Sequence, residues 1–396
     1  MKNNEDINNQ LGDKHNFGRY VKPIFDPNFG KLLLKPRSIL WEHLFFDKQS
    51  PILDCLKPHH PYFSNFFQLE SVKIDNRESL QRILNEKKID LPISKTHLFE
   101  FFDLCAYSLY FGLMDLNVEN LFLTDQGLTV IDCETVFFNL QNLSATGLIP
   151  NRNMLYQCSG ASKIFQGVTS ISPDEIASFA NRFIFSLDLL KSLEGPLIKK
   201  IYNSNSFLTT PIRVIFRDTY LYANLLARPS ENYRLFEEEF KQLGKGDIPY
   251  FFFYLNDKNI YYYSNESYQT HPVSKEMMEF FHQKFSMELP SADFINNFQS
   301  DIETKKIKSL LEIVDFLLLF STQKEEEFEV SLNGYQVQVE PSIITCTSKG
   351  SSHSIAMVRK YIDENDLDLE DTRLKEINKD FNFSLSKEPT IFITLS

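Results

Sequence analysis

A buried helix, an acidic loop, a hairpin and a second acidic pair follow one another between residues 97 and 134. This order constrains the fold more than any other feature of the chain. Residues 97–113 are apolar and aromatic almost throughout, which predicts a buried helix. The acidic loop occupies residues 115–120, and the acidic pair is Asp132 and Glu134. Two short strand-like runs predict the hairpin between them, at residues 121–123 and 128–131.

The spacing of these acidic groups is the spacing that kinases use for phosphoryl transfer. Such a transfer needs a carboxylate near the attacking hydroxyl, and oxygen ligands that hold Mg²⁺ against the phosphates. Asp115 fits the first role, while Asn120 and Asp132 fit the second. The alternative is a solvated acidic turn capped by Asn120, because a D-x-x-x-x-N pattern is common by chance. The intervening hairpin favours the functional interpretation, since it places both acidic segments at neighbouring strand and loop ends.

Composition limits the class of protein. The 396 residues, 42% of them hydrophobic, suffice for one large domain or two with a packed core. A net charge of −12 argues against a nucleic-acid binder that relies on overall positive charge. The five cysteines form no C-x-x-C pair, so we expect a reducing cytoplasmic location rather than a zinc site or a disulfide framework. No apolar run approaches the roughly 20 residues that span a bilayer. Residues 1–10 are polar and are predicted to be disordered.

The chain opens with a predicted hairpin whose second strand carries a lysine at its end. The strands are predicted at residues 20–25 and 31–34, and the segment after them reads Lys35-Pro36-Arg37-Ser38. Kinase small lobes place a strand lysine against the ATP phosphates. The alternative is a solvated edge lysine, and the hairpin alone favours that alternative. A helix is predicted next, at residues 39–46, where Glu42 is a candidate partner for Lys35.

Periodicity predicts the remaining elements. Residues 77–88 are charged and predict a surface helix, and residues 208–226 predict a helix entered at Pro211. On one continuous helix Thr219 would lie about 240° round from Arg213, given about 100° per residue. The two can act together only if that helix is interrupted. Further helices are predicted at 173–193, with Ser170 or Ser172 as its cap, and at 275–285 and 301–320; strands are predicted at 62–74, 250–254 and 259–264, and a hairpin at 328–340.

Six separated segments agree in order and character with the motifs of one enzyme family. They are GDKHNFGR at 12–19, KPRS at 35–38, DLNVEN at 115–120, IDCET at 131–135, RVIFRDT at 213–219 and GDIPYF at 246–251. Over roughly residues 11–265 the chain therefore resembles the dehydratase domain of class II lanthipeptide synthetases, the LanM-type enzymes. Members of this family phosphorylate Ser and Thr side chains of a precursor peptide with ATP. They then eliminate the phosphate to leave dehydroalanine or dehydrobutyrine.

The resemblance implies an α+β, two-lobed, kinase-like fold. It implies a small β-rich lobe over residues 11–90 and a larger, mostly helical lobe over 91–396, whose C-terminal extension contains the hairpin at 328–340. It also implies ATP and Mg²⁺ as cofactors and a Ser- or Thr-containing peptide or protein as substrate. The implied nucleotide-binding residues are Lys35, Arg37 and Glu134, and the implied magnesium ligands are Asn120 and Asp132. The implied catalytic residues are Asp115 and Asn117 for phosphorylation, and Asp13, His15, Arg213 and Thr219 for elimination.

Three departures from the family pattern qualify these expectations. Asn117 replaces the family's histidine, and asparagine can form hydrogen bonds but cannot exchange protons. Only about eleven residues precede the first motif, so a helical cap and part of the peptide-binding surface are expected to be missing. The tail has no zinc-ligand constellation, so a separate cyclase would have to form any thioether ring.

Four functions therefore stay open at the level of the sequence. Retention of Asp13, His15, Arg213 and Thr219 favours a stand-alone dehydratase. Asn117 and the short N-terminus favour a kinase that stops after phosphoryl transfer. A third candidate is a phosphate-eliminating lyase without kinase activity, and a fourth is a non-catalytic binding module. The set of Lys35, Asp115, Asn120 and Asp132 argues against the binding module.

Overall fold

A computed structural model describes most of the chain. The described residues are 11–60, 63, 69–83, 93–124, 127–150, 154–204, 206–217, 219–228, 234–255, 257–285, 289–290, 301–321, 327–341, 343–350, 354–359 and 392–395. Among them are ten α-helices and four antiparallel sheets, which confirms the predicted α+β class. Residues 1–10, predicted to be disordered, lie outside this set.

The N-terminal sheet is antiparallel and has the strand order β1-β2-β3-β5-β4. Its strands are β1 (Leu11–His15), β2 (Arg19–Asp26), β3 (Gly30–Lys35), β4 (Leu69–Lys73) and β5 (Ser79–Ile83). The predicted β2–β3 hairpin is confirmed, with Asp26 opposite Gly30 across the turn. Of the strands predicted at 62–74, only β4 lies within the described residues as a strand. The central strand β3 ends at Lys35, so the KPRS segment begins at the end of this strand.

The prediction of a helix at residues 77–88 is wrong for residues 79–83. Strand β5 occupies this position and pairs with both β3 and β4, with Ser79 opposite Lys35. Ser79 and Gln81 are fully buried, which the surface-helix interpretation did not anticipate. Pairing on both sides satisfies the backbone of this short segment and outweighs its polar composition. Residues 84–90 lie outside the described set.

Helix α3 (Lys95–Phe111) is the centre of the core, as predicted. It follows α1 (Leu40–Phe46) and α2 (Pro51–Leu56) and begins at Ser94, whose hydroxyl caps His97 N at 3.4 Å. Phe45 of α1 packs against Tyr107 of α3, with ring centroids 6.0 Å apart. The helix ends at Gly112, where φ is +60° and an added Cβ would lie 2.1 Å from Phe138 O. Only glycine fits there, so the chain turns sharply into the acidic loop.

The predicted hairpin after the acidic loop is confirmed as β6 (Leu121–Thr124) and β7 (Gly127–Val130). Helix α4 (Ala161–Ile164) and the long helix α5 (Pro173–Ser192) follow, and α5 packs along α3. Ser172 is the cap of α5, because Glu175 N donates to its hydroxyl at 3.3 Å while Ser172 N donates to Glu175 Oε2 at 3.1 Å. This reciprocal pair fixes the start of the helix.

The single helix predicted at residues 208–226 is wrong. The segment forms strand β8 (Ile212–Val214) and then helix α7 (Thr219–Ala227). Strand β8 pairs with β9 (Phe251–Phe253), so the backbone of Arg213 is held in a sheet rather than a helix. The four-stranded sheet is completed by β10 (Tyr261–Tyr263) and β11 (Thr270–Pro272), in the order β11-β10-β9-β8. The strands predicted at 250–254 and 259–264 are confirmed.

The C-terminal part combines helices with a five-stranded antiparallel meander. The helices are α6 (Glu194–Tyr202), α8 (Glu237–Leu243), α9 (Lys275–Phe285) and α10 (Ile302–Leu318). The strands are β12 (Phe328–Leu332), β13 (Tyr335–Val339), β14 (Ile343–Ser348), β15 (Ser354–Val358) and β16 (Phe392–Leu395), in sequential order. The predicted β12–β13 hairpin with its Asn333-Gly334 turn is confirmed. No helix in the described part of the chain is long and apolar enough to cross a membrane.

Candidate active site

The acidic loop after α3 is organised by the side chain of Asn117. Its Nδ2 donates to Asp115 Oδ1 at 3.0 Å. Its Oδ1 accepts from the backbone nitrogens of Glu119 and Asn120, at 2.9 and 3.2 Å. Asp115 has φ +61°, a left-handed conformation that aspartate tolerates better than most residues. One asparagine therefore shapes the turn and orients the carboxylate at its start.

Asn120 ties this loop to the far end of the hairpin. Its Nδ2 donates to Asp115 O at 2.8 Å, and its backbone oxygen accepts from Ile131 N at 2.9 Å. Behind the loop, Leu116 N donates to Thr146 O at 2.9 Å. These bonds bring Asp115 and Asn120 close to the segment that contains Asp132, as the sequence predicted.

Lys35 at the end of β3 forms a buried ion pair with Glu42 of α1. The distance from Lys35 Nζ to Glu42 Oε1 is 3.0 Å, and both side chains are at most 3% exposed. The same Nζ donates to Ile131 O, and Cys133 N donates to Glu42 Oε1 at 3.4 Å. The predicted partnership of Lys35 with Glu42 is confirmed, and the pair lies against the residues on either side of Asp132.

Arg37 contacts three carboxylates at once. Its guanidinium binds Glu42 at 2.5 and 3.2 Å, contacts Asp132 Oδ1, and lies 3.1 Å from Glu134 Oε2. Burial alone would lower the pKa of Arg37, but the three anions outweigh burial and raise it well above its ordinary value. The pKa of Glu42 is lowered, because Arg37 and Lys35 outweigh the effect of burial on its carboxyl.

Glu134 joins Arg37 to the strand that carries Arg213. Arg213 Nη1 lies 3.1 Å from Glu134 Oε1, and Tyr250 Oη donates to Glu134 Oε2 at 2.7 Å. The backbone of Arg213 also donates to Glu134 O at 2.9 Å. Burial would raise the pKa of Glu134, but the charges of Arg37 and Arg213 lower it below its ordinary value. Glu134 is therefore an ionised carboxylate that holds two guanidinium groups in place.

His15 lies beside Arg213 as a neutral imidazole. Its Nδ1 is 2.8 Å from the Ile248 carbonyl oxygen, which can only accept, so Nδ1 carries the proton and Nε2 has a free lone pair. Burial and the Arg213 charge lower the pKa of His15 to about 3. The His15 and Tyr250 rings meet edge to face, 5.7 Å apart. The imidazole is thus unprotonated near neutral pH.

Asp247 is a structural residue that the sequence analysis did not single out. Its carboxylate accepts from Phe17 N and Gly18 N, each at 2.7 Å. The turn it binds has positive φ at Asn16, Phe17 and Gly18. The motif at 246–251 thus binds the turn in the motif at 12–19. Their order in the sequence gives no sign of this contact, because it joins residues about 230 positions apart.

A small cleft, partly open to solvent, is lined in part by this network. Arg37, Glu134 and Tyr250 form one side of it. The other lining residues are Asn16, Pro36, Ser38, Trp41, Asn76, Pro211, Tyr263 and Tyr268. The tyrosines were not predicted as site residues, although the run Tyr261–Tyr263 was the available signal. Aromatic walls and buried charged groups are typical of a ligand site.

Most predicted site residues belong to one network of hydrogen bonds, ion pairs and charge interactions. It contains His15, Lys35, Arg37, Asp115, Asn117, Asn120, Asp132, Glu134 and Arg213. Thr219 begins α7, and none of the contacts in the described residues joins it to the network. Arg217 of the same motif instead pairs with Glu239 at 2.7 Å. Asp13 lies in β1, and its side chain is outside the described residues.

The predicted magnesium ligands suit that ion chemically. No group of three or more His, Cys, Asp or Glu side chains in the described residues could hold a metal. Magnesium in phosphoryl-transfer sites needs only one or two protein ligands, because phosphates and water complete its shell. Asp132 is 31% exposed, and the Asn120 amide nitrogen donates to Asp115 O. Both supply the hard oxygen donors that Mg²⁺ prefers.

The chain matches no protein-family model and no curated protein. The resemblance inferred from the six segments therefore stays a prediction.

Proposed function

We propose that the protein transfers a phosphoryl group from ATP to a Ser or Thr hydroxyl of a peptide or protein and then eliminates the phosphate. The proposal includes a two-lobed, kinase-like arrangement in which the β1–β5 sheet with α1 is the small lobe. One observation carries it: the buried Lys35–Glu42 pair lies directly against Ile131 and Cys133, which flank Asp132. A strand lysine, a helix glutamate and a following aspartate in contact are the parts that kinase-type transfer requires.

In the phosphorylation step, Asp115 orients the substrate hydroxyl and accepts its proton. Its position supports this role, because Asn117 and Asn120 fix the carboxylate from two sides. Lys35 would contact the nucleotide phosphates, and Arg37, which shares Glu42 with Lys35, lines the cleft together with Glu134. Asn120 and Asp132 would hold Mg²⁺, which would neutralise charge on the transferring phosphoryl group.

In the elimination step, a base removes the α-proton of the phosphorylated residue while phosphate leaves from the β-carbon. The electron pair of the broken C–H bond forms the new double bond. His15 is the candidate for that base on geometric grounds, because its Nδ1 is bound to the Ile248 carbonyl, which leaves Nε2 as the acceptor atom. The neighbouring Arg213 guanidinium stabilises the negative charge that develops on the leaving phosphate.

A kinase without elimination is the second candidate. The observation that favours it is the position of Thr219, which begins α7 without a contact to the Arg213 network in the described residues. Arg213 itself is already paired with Glu134. On this alternative the phosphorylation residues are assembled, and the phosphorylated product is released.

Mass spectrometry of the substrate separates the two candidates. The protein is incubated with Mg-ATP and a pool of Ser- and Thr-containing peptides. Gain of phosphate followed by net loss of water supports the dehydratase, and gain of phosphate alone supports the kinase. His15→Gln should accumulate phosphorylated peptide. If a folded His15→Gln protein instead loses phosphorylation itself, the division of roles is wrong. If the wild-type protein causes neither of these mass changes, both candidates are wrong.

A further inference from the structure

The contact between Arg37 and Asp132 occupies the carboxylate to which the proposed function assigns magnesium. Arg37 Nη2 contacts Asp132 Oδ1 and also lies 2.5 Å from Glu42 Oε1. Asp132 has the most exposed side chain of the three carboxylates around Arg37, at 31%, against 0% for Glu42 and 9% for Glu134. It is therefore the member of the group that an ion can approach from solvent.

The carboxylates around Arg37 require a positive charge between them. Glu42, Asp132 and Glu134 converge on one guanidinium, and Asp115 adds a further carboxylate near Arg213. Carboxylates at such short range repel one another unless cations lie between them. Lys35 does not serve Asp132, because its ammonium is bound to Glu42 and the Ile131 carbonyl. Arg37 is the basic side chain that contacts Asp132 within the described residues.

We propose that Arg37 is the resident counter-ion of Asp132 and that a divalent cation binds Asp132 by displacing it. The affinity of the site for metal is then set by competition with Arg37. This inference rests on the proposed function, which places Mg²⁺ at Asp132. Arg37 keeps Glu42 and Glu134 as partners after displacement. Arg37 therefore stays beside the cleft, and the N–H group that had bound Asp132 becomes free to donate to an incoming phosphate.

The two possible roles of Arg37 predict different changes in metal affinity when Arg37 is removed. If Arg37 only supports the fold, removing it leaves metal affinity unchanged or weakens it through structural damage. If Arg37 competes with metal, removing it leaves Asp132 without a counter-ion and tightens metal binding. The two roles thus predict opposite changes in one measured quantity.

The test measures binding of Mn²⁺ alone, as a spectroscopic substitute for Mg²⁺, by electron paramagnetic resonance of the full chain without nucleotide. Arg37→Gln should bind Mn²⁺ about tenfold more tightly than the wild type, from loss of one competing short-range charge. Arg37→Lys, which keeps the charge but cannot bridge three carboxylates, should give an intermediate affinity and guards against poor folding of the first variant. Arg217→Gln is the matched control. It removes an arginine from another buried pair, with Glu239, and should leave Mn²⁺ affinity unchanged.

Asp132→Asn distinguishes failure of the inference from failure of the proposed function. If Asp132→Asn abolishes binding and both Arg37 variants bind Mn²⁺ no more tightly than the wild type, the counter-ion role is wrong and the metal site stands. If neither the wild type nor either Arg37 variant binds Mn²⁺, or if Asp132→Asn binds it as the wild type does, the magnesium assignment fails and the inference fails with it.

Discussion

The side-chain nitrogen of Asn117 lies 3.0 Å from Asp115 Oδ1, and its side-chain oxygen accepts two backbone N–H groups of the same loop. An amide oxygen has two lone pairs and can accept both bonds, whereas a neutral imidazole has one acceptor nitrogen. Asparagine at position 117 therefore has a structural use that histidine could not fully supply. The residue positions Asp115 and needs no proton exchange of its own.

Replacing Asn117 tests this positioning role. Asn117→Ala should lower the rate of phosphoryl transfer about tenfold or more, since a misplaced carboxylate loses its alignment. It should also lower the free energy of unfolding by about 1–2 kcal/mol, because three hydrogen bonds are lost. Asn117→Asp keeps the two acceptor bonds but repels Asp115, so it should lose rate with a smaller loss of stability. A wild-type rate in Asn117→Ala would show that the loop does not depend on this side chain. Stopped-time phosphorylation assays and urea denaturation give the two quantities.

The buried Glu42 should be the most sensitive position for stability in the site. Glu42→Gln leaves Lys35 and Arg37 without their shared carboxylate, and breaking a buried pair in this way costs about 3–5 kcal/mol. The matched control is Glu237→Gln, which removes an exposed pair with Lys241 and should cause no measurable change. Urea denaturation of both variants measures the difference. Equal stability of Glu42→Gln and the wild type would contradict the buried network.

The protonation of His15 gives a pH dependence with a definite sign. Its pKa is about 3 in the folded protein and about 6.5 in an unfolded chain, so only the unfolded state gains this proton between those values. Stability linked to His15 is complete above pH 6.5 and is lost as the pH falls toward 3. His15→Gln should therefore show a shallower loss of stability over this range than the wild type. Nuclear magnetic resonance of the imidazole should show no titration of His15 between pH 5 and 8, and a midpoint near 6.5 would rule out the buried neutral state.

Asp247 should control the N-terminal turn that follows His15. Asp247→Ala removes two bonds of 2.7 Å, to Phe17 N and Gly18 N, and should cost roughly 1–3 kcal/mol. Hydrogen exchange at these two amides should accelerate. Asp26→Ala is the control, since Asp26 makes the same kind of contact to Asn28 N and Phe29 N in an exposed turn. Its effect should stay within the hairpin. Unchanged exchange at Phe17 and Gly18 in Asp247→Ala would refute the contact.

The sequence could predict elements whose signals are local. Asn333-Gly334 between alternating residues predicts the β12–β13 hairpin, and the apolar run predicts α3. The segments that it misassigned, β5 and β8, are short strands whose stability comes from pairing with distant strands. A short segment such as 79–83, inside a charged stretch, has no strong local reason to be extended, and its pairing with β3 and β4 is visible only in three dimensions.

The site divides in the same way. The proximity of Asp115, Asn120 and Asp132 could be predicted, because the spacing of their motif reflects one helix, one loop and one hairpin. The convergence of three carboxylates on Arg37 could not be predicted, because they come from α1 and from the segment after β7. The break between β8, which carries Arg213, and α7, which begins at Thr219, likewise could not be predicted from local periodicity.

The most direct test of the central claim is transfer of labelled γ-phosphate from Mg-ATP to Ser- and Thr-containing peptides. The account predicts label in peptide with the wild-type protein. It predicts a loss of about 10²-fold or more in Asp115→Asn, which removes the proton acceptor. Asp132→Asn should lose transfer as well, while the control Glu237→Gln should transfer at the wild-type rate. Absence of label with the wild type, or equal labelling by wild type and Asp115→Asn, would contradict the account.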